Sequence, residues 1–291
     1  MRIVVTGSTG QLGHYLVDTL LKEQGHLVFP WGRKPAPDRW GIPARPVELT
    51  ETGSIERALL EADPELIVHA AAVSSADSVH RDPEGSWAVN VGATRSLVRW
   101  CRERGRRLLF TSTDMVFDGE RGWYREQDEP APVLAYGRTK VEAEAAVAEL
   151  DDGLVARISL LFGPSISSVP AYYDRAMAAL RSGQSLAFFE DEFRTPLDYA
   201  TAAAALVRLA RSRIRGVVHL GGRERLSRFE LMRRAAVAEG VDPSLVTANR
   251  RSDASFAEPR PRDLSLDTSR LEQLLPGLDR PGIEEAIRAQ A

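Results

Sequence analysis

Hydrophobic positions along the first half of the chain fall into two alternating kinds of segment. Short, nearly continuous apolar runs, "RIVVTG", "HLVFPW", "ELIVHAAA", "RRLLFTST" and "GLVARISLLFG", have the length and β-branched content of strands buried on both faces. Between them, "GHYLVDTLLKEQG" (closed by Gly25), "TGSIERALLEA", part of "EGSWAVNVGATRSLVRWCRERG" and "AYGRTKVEAEAAVAEL" read as helices. Strands separated by helices predict an α/β, doubly wound parallel sheet, with ligands at the carboxyl ends of its strands.

After Gly163 the pattern changes. "GPSISSVP" is loop-like, "AYYDRAMAALRSG" predicts a helix, and "DEFRTPLDYATAAAALVRLARS" is expected to re-enter the main layer. "GVVHLGG" predicts a last strand and "SRFELMRRAAVAEG" a helix, while "AEPRPRDLSLDTSRLEQLLPG" has no clean periodicity. The expected organisation is a nucleotide-binding domain over residues 1–162, to which 194–222 return. A smaller, discontinuous substrate lobe is drawn from 163–193 and 223–291.

Composition narrows the function classes. With 291 residues, 43% of them hydrophobic and 27% charged, the chain can bury a substantial core. A net charge of −3 without blocks of like charge argues against a nucleic-acid partner. No apolar run approaches the roughly 20 residues that span a bilayer. The start, "MRIVVTG", enters a strand with no signal-peptide pattern, so a cytoplasmic location is expected. The single Cys101 rules out intrachain disulfides and cysteine-based metal sites, and is expected to be a small core residue.

"VVTGSTGQLGHYL" places Gly7, Gly10 and Gly13 between the first strand and the first helix, with Thr9, Gln11 and Leu12 among them. Glycines there let the backbone turn tightly and approach a pyrophosphate seated on the helix N-terminus. At the end of the second strand a carboxylate would select the ribose hydroxyls of NAD(H). The sequence reads "FPWGRKP" instead, and Arg33 with Lys34 predicts NADP(H) over NAD(H), unless the two are simply solvated.

Tyr136 and Lys140 stand at i and i+4 on one helical face. A lysine cation beside a phenol favours the phenolate and lowers its pKa, which suits proton transfer. On spacing alone the pair is better read as surface decoration. Context comes from "LLFTSTDMVFDG", where a strand ends in Thr111, Ser112 and Thr113. A hydroxyl there either holds a substrate oxygen beside Tyr136 or caps the next turn.

Taken together, "TGSTGQLG", "HAAAVS", "AVNVGAT", "TSTDMVFDG", "YREQDEPAPVLAYGRTKVEAE", "FRTPLDYA" and "RPRDLSLDTSRL" resemble the extended short-chain dehydrogenase/reductase family. Within it the chain is most similar to the dTDP-4-dehydrorhamnose reductases. The resemblance implies a Rossmann fold and a catalytic set of Thr113, Tyr136 and Lys140, with Lys140 also on the nicotinamide ribose. It places Ala70, Ala71 and Ala72 along the nicotinamide half of the cofactor. Asn90 matches the family's helix asparagine, either at the cofactor or as a buried packing amide. Ser74, Asp114, Arg194 and Arg260 are the candidate substrate contacts, the arginines as diphosphate ligands.

Some positions depart from the rhamnose-pathway pattern. Met115 replaces a tyrosine, and "VSSADS" replaces "T-A-V-D". Tyr15 stands where an acidic residue is often linked to Mg²⁺, so no metal is expected. The implied activity is NADPH-dependent reduction of a 4-keto-6-deoxy nucleotide sugar. Epimerisation or dehydration of a nucleotide sugar is the alternative, as is a non-catalytic subunit similar to the regulatory subunit of methionine adenosyltransferase. Oligomeric state, a homodimer included, stays open.

Overall fold

The computed structural model describes residues 1–34, 41–167 and 170–290. Its strands are β1 (Arg2–Thr6), β2 (Leu27–Gly32), β3 (Arg45–Pro46), β4 (Leu66–His69), β5 (Arg107–Thr113) and β6 (Gly153–Ile158), followed by β7 (Leu161–Phe162), β8 (Leu186–Phe189), β9 (Phe193–Arg194), β10 (Leu197–Asp198), β11 (Gly216–Leu220), β12 (Leu226–Ser227) and β13 (Val246–Asn249). Between the early strands run α1 (Gln11–Lys22), α2 (Thr52–Ala62), α3 (Ala76–Arg81), α4 (Pro83–Trp87), α5 (Ala93–Arg104) and α6 (Ala135–Ala148). Later come α7 (Tyr172–Arg181), α8 (Tyr199–Ala210), α9 (Arg228–Ala238), α10 (Ser269–Leu274) and α11 (Ile283–Arg288). Seven strands form one parallel sheet in the order β11-β6-β5-β4-β1-β2-β3. Strand order reverses between β1 and β4, the switch point at which a doubly wound sheet opens a crevice.

Because strand side chains alternate, β1 feeds two cores. Ile3 and Val5 pack with Leu16 and Leu20 of α1 and Leu206 and Leu209 of α8. Val4 packs on the other face with Ile55 and Leu59 of α2, Leu97 of α5 and Val147 of α6. Fully burying each such side chain is worth about 1.5–3 kcal/mol. Cys101 lies in this second core, fully buried, and desolvation pushes its thiol up to about 12, as an inert packing residue.

A third core, containing Phe162, Met177, Phe188, Leu231, Val246 and Ile287, belongs to the lobe beside the sheet. Helix α8 packs against α1, and β11 pairs with β6 at the edge of the sheet. The C-terminal segment also reaches the sheet. Leu271 and Leu275 pack in the sheet core with α1 and α8, and Leu264 and Leu266 pack with Phe117 and Tyr124. The segment carries no clean repeat because isolated bridges bring Leu264 and Leu266 inward, and only the short α10 carries Leu271 and Leu275.

The long helix expected around "AVNVGAT" is interrupted by a π-helical stretch, Ala88–Gly92, joining α4 to α5. Such widened turns concentrate at functional sites. Among the described residues no helix is long and apolar enough to cross a membrane.

Candidate active site

The glycine loop is shaped by contacts that leave no room for side chains. Gly7 adopts φ +67°, where a Cβ is strained, and a Cβ there would fall 2.7 Å from the Ala71 Cα. A Cβ on Gly13 would lie 2.0 Å from the Gly7 carbonyl oxygen. Ser8 ties the loop to the end of β2, its N–H and hydroxyl each donating to the Trp31 carbonyl at 3.0 Å. Gly10, the N-cap of α1, brings no side-chain acceptor to the first turn, which also holds no acidic residue. The positive end of α1 therefore faces the crevice, a cradle that fits a pyrophosphate.

The crevice is a cleft of about 730 Å³ running across the carboxyl ends of the central strands. It brings together Gly7, Thr9, Gly10, Gln11, Leu12 and Gly13 with Ala70, Ala71, Ala72 and Ser74. Arg33 lines its far end and Thr113, Tyr136 and Lys140 its inner wall. Arg33 and its neighbour Lys34 are both exposed. Glu48, which sequence reasoning passed over, also lines the cleft, and its carboxylate accepts from the N–H and hydroxyl of Thr50 at 3.0 and 2.7 Å. Those bonds and the Arg33 charge hold its carboxyl below the usual range.

Under the cleft floor runs a hydrogen-bond chain that sequence reasoning missed. The Ala71 N–H donates to Thr6 Oγ1 at 3.1 Å, and Thr6 Oγ1 lies 2.7 Å from His69 Nδ1. His69 Nε2 is 3.0 Å from Thr94 Oγ1, which itself donates to the Asn90 carbonyl at 2.7 Å. Since Thr94 spends its proton on that carbonyl, Nε2 carries the imidazole proton and Nδ1 accepts from Thr6. Burial, then the Lys140 charge, drives His69 down to about 3, so the ring stays neutral and the chain intact. A buried histidine before an alanine run gives no periodic signal, which is why it escaped notice.

Asn90 lies beside the cleft, not on its wall. Its amide accepts from the Val73 N–H (2.8 Å) and donates to the Val73 carbonyl (3.1 Å) and to Thr139 Oγ1 (3.0 Å). The amide thus clamps the loop after β4 to α6, and every polar atom of it is engaged in that clamp.

Three features place Tyr136 and Lys140. Glu258, from the C-terminal segment, accepts the Ala135 N–H at 2.8 Å and caps α6, whose own N-cap, Leu134, has no polar side chain. Gly137 lets the helix approach the turn that follows β5, since a Cβ there would lie 2.1 Å from the Met115 carbonyl oxygen. Along α6, Tyr136, Lys140, Ala143 and Val147 share the buried face, and Tyr136 and Lys140 are 7% and 1% exposed.

Electrostatics here differ from the expectation drawn from spacing. Burial, with the Asp114 carboxylate, raises the Tyr136 phenol above its ordinary value. Lys140 was expected to lower it, but burial lowers Lys140 itself to about 7, against the pull of Glu144. The ammonium lies 4.0 Å from the centre of the Phe110 ring.

Two of the substrate candidates, Arg194 and Asp114, are buried and engaged with partners inside the protein. Arg194 is 4% exposed; its Nε is 3.3 Å from Asp114 Oδ2, its Nη2 3.3 Å from Glu192 Oε1, and its Nη1 donates to the Phe193 carbonyl at 2.8 Å. A guanidinium so engaged has no fork left for a diphosphate. Asp114 is 3% exposed and also touches Thr113 Oγ1 and Ser159 Oγ, each at 3.2 Å, and so ties the end of β5 to Arg194 and Ser159. Arg260 remains half-exposed over the Phe189 and Phe256 rings and shares Glu192 with Arg228. Among the described residues no group of acidic, histidine or cysteine side chains could hold a metal.

Comparison with known proteins sets this geometry in context. The RmlD substrate binding domain family matches residues 1–289. The probable low-salt glycan biosynthesis reductase Agl14 of Haloferax volcanii is 31% identical over 99% of this chain and 97% of its own. Methionine adenosyltransferase 2 subunit beta of Bos taurus is 31% identical over 98% of this chain and 87% of its own. The structure of a hypothetical dTDP-4-dehydrorhamnose reductase from Sulfolobus tokodaii superposes with a TM-score of 0.84 at 29% identity, covering 99% of both chains. The NADP complex of the Bacillus anthracis dTDP-4-dehydrorhamnose reductase shares the fold at a TM-score of 0.85 and 23% identity, over 98% of this chain and 96% of that one. With its glycine cradle, its Tyr–Lys helix and a match across nearly all its length, the chain belongs to the RmlD substrate binding domain family, within the extended short-chain dehydrogenase/reductases.

Proposed function

We propose that this protein reduces the keto group of a 4-keto-6-deoxy nucleotide sugar with NADPH. The observation that carries the reading is the convergence of Thr113, Tyr136 and Lys140 with the glycine cradle and Ala70–Ala72 in one cleft. When bound, the reduced nicotinamide supplies a hydride to the carbonyl carbon. Thr113 holds the carbonyl oxygen, and Tyr136 delivers the proton that the forming alkoxide needs. A phenol held above its ordinary pKa keeps that proton until the alkoxide appears. Lys140 anchors the nicotinamide ribose and offsets the phenolate charge.

The preference for NADPH rests on Arg33, exposed at the cleft's far end where a 2′-phosphate would lie, and on its exposed neighbour Lys34. Arg33→Ala is expected to weaken NADPH binding about tenfold and leave NADH binding unchanged, read by fluorescence titration. Equal affinities for the two cofactors in the unaltered protein would overturn the preference.

The activity itself is tested by following NADPH absorbance against a panel of 4-keto-6-deoxy nucleotide sugars that differ in base. Net oxidation with at least one member supports the reading. Sugar conversion without net oxidation would mean epimerisation or dehydration. Cofactor binding with no conversion would favour a subunit role, in keeping with the similarity to methionine adenosyltransferase 2 subunit beta.

A further inference from the structure

Lysine is rare in this chain: Lys22, Lys34 and Lys140 are its only three, against a Lys plus Arg total of 38. Lys140 is the buried one, 1% exposed with its ammonium over Phe110. Burying an ammonium favours its neutral form, so holding the charge there needs a partner of opposite sign. One turn along α6, Glu144 lies on the same face, and among the described residues its carboxylate is the group that pushes Lys140 back up.

That carboxylate is itself 7% exposed and firmly held. Arg157 of β6 donates to it from Nη2 at 2.8 Å and from Nε at 3.1 and 3.2 Å, and the Ser112 hydroxyl of β5 donates to it as well. Ser112 precedes Thr113, and Arg157 precedes Ile158, which lines the cleft. One carboxylate thus ties together the three elements around the inner wall. The other titratable groups around Lys140 do not replace it. His69 of β4 is neutral, Tyr136 of α6 keeps its proton, and Asp114 is paired with Arg194.

We propose that Glu144 is a positioning residue acting through Lys140: clamped by Arg157 and Ser112 one turn along the buried face of α6, its carboxylate holds the ammonium over Phe110 and in register with Tyr136. The catalytic consequence rests on the reductase reading; the charge on Lys140 does not.

Three lysines make the test direct. Protein carrying isotope-labelled lysine gives three side-chain NMR signals, whose pH titration reads Lys140 with no substrate present. Glu144→Gln is expected to lower the Lys140 midpoint by about one pH unit. Arg157→Met, which leaves the carboxylate uncompensated, is expected to raise it. Either single variant strands a buried charge and risks misfolding, so the double variant Glu144→Gln/Arg157→Met is the safeguard. Its midpoint is expected below that of the unaltered protein, because the carboxylate is gone. The basic limb of the kcat–pH profile follows the same order, with KM for the sugar unchanged. Midpoints unmoved in all three variants, or moved the same way by both single substitutions, would overturn the proposal and leave Glu144–Arg157 a plain strut. Shifts of opposite sign sustain it even if no keto-sugar is reduced, an outcome that would count against the reductase reading alone.

Discussion

Tyr136→Phe is expected to lower kcat by at least about 10²-fold while NADPH affinity stays at its original value. The substitution removes one oxygen from a side chain that is 7% exposed, so the packing of α6 against β5 survives. What disappears is the proton held for the alkoxide. No neighbour can take over, because His69 is neutral, with its ring proton committed to Thr94, and Asp114 is paired with Arg194. The check is a steady-state comparison at saturating cofactor, with affinity measured separately by titration. Near-original turnover in this variant would remove Tyr136 from the mechanism.

Arg194→Leu is expected to act on stability first. Arg194 stands between two buried carboxylates, Asp114 and Glu192, which are 3% and 1% exposed. Arg228 and Arg260 still neutralise Glu192, but among the described residues no other cation is paired with Asp114. Removing one partner of a buried pair strands the other, at a cost of about 3–5 kcal/mol. In a chain of this size that is a fall in Tm on the order of 10 °C, readable by calorimetry. Arg260→Met is the contrast: half-exposed, it is expected to leave Tm nearly unchanged and to raise KM for the nucleotide sugar. If Arg194→Leu kept its Tm and raised only KM, Arg194 would regain the ligand role that its burial argues against.

What the sequence made legible follows from which residues carry local signals. β1 and α1 were readable because their contacts are short-range and periodic, and the glycines mark a turn that leaves no room for a Cβ at Gly7 or Gly13. The Tyr136–Lys140 pair was readable because one helical turn sets its geometry. The networks behind the site were not. His69 meets Thr6 and Thr94 across 63 and 25 residues of sequence, and Arg194 of β9 reaches Asp114 in the turn after β5. Nothing in the local pattern separates a guanidinium that faces a ligand from one that faces a buried carboxylate. The same limit explains the charge balance: spacing predicts that Lys140 tunes Tyr136, whereas burial decides the free values of both. Leu271 and Leu275 are hard to place from local pattern for a related reason, since their short helix is too brief to announce which core it joins.

The central claim is carbonyl reduction in this cleft, and isotope transfer tests it most directly. The protein is incubated with NADPH deuterated at the transferable nicotinamide position and a 4-keto-6-deoxy nucleotide sugar, and the product is analysed by mass spectrometry and NMR. The account predicts one deuterium on the sugar carbon that bore the keto group, with one NADPH consumed per product formed. A sugar that is converted without deuterium and without loss of NADPH, or that stays unconverted while NADPH is bound, would contradict it.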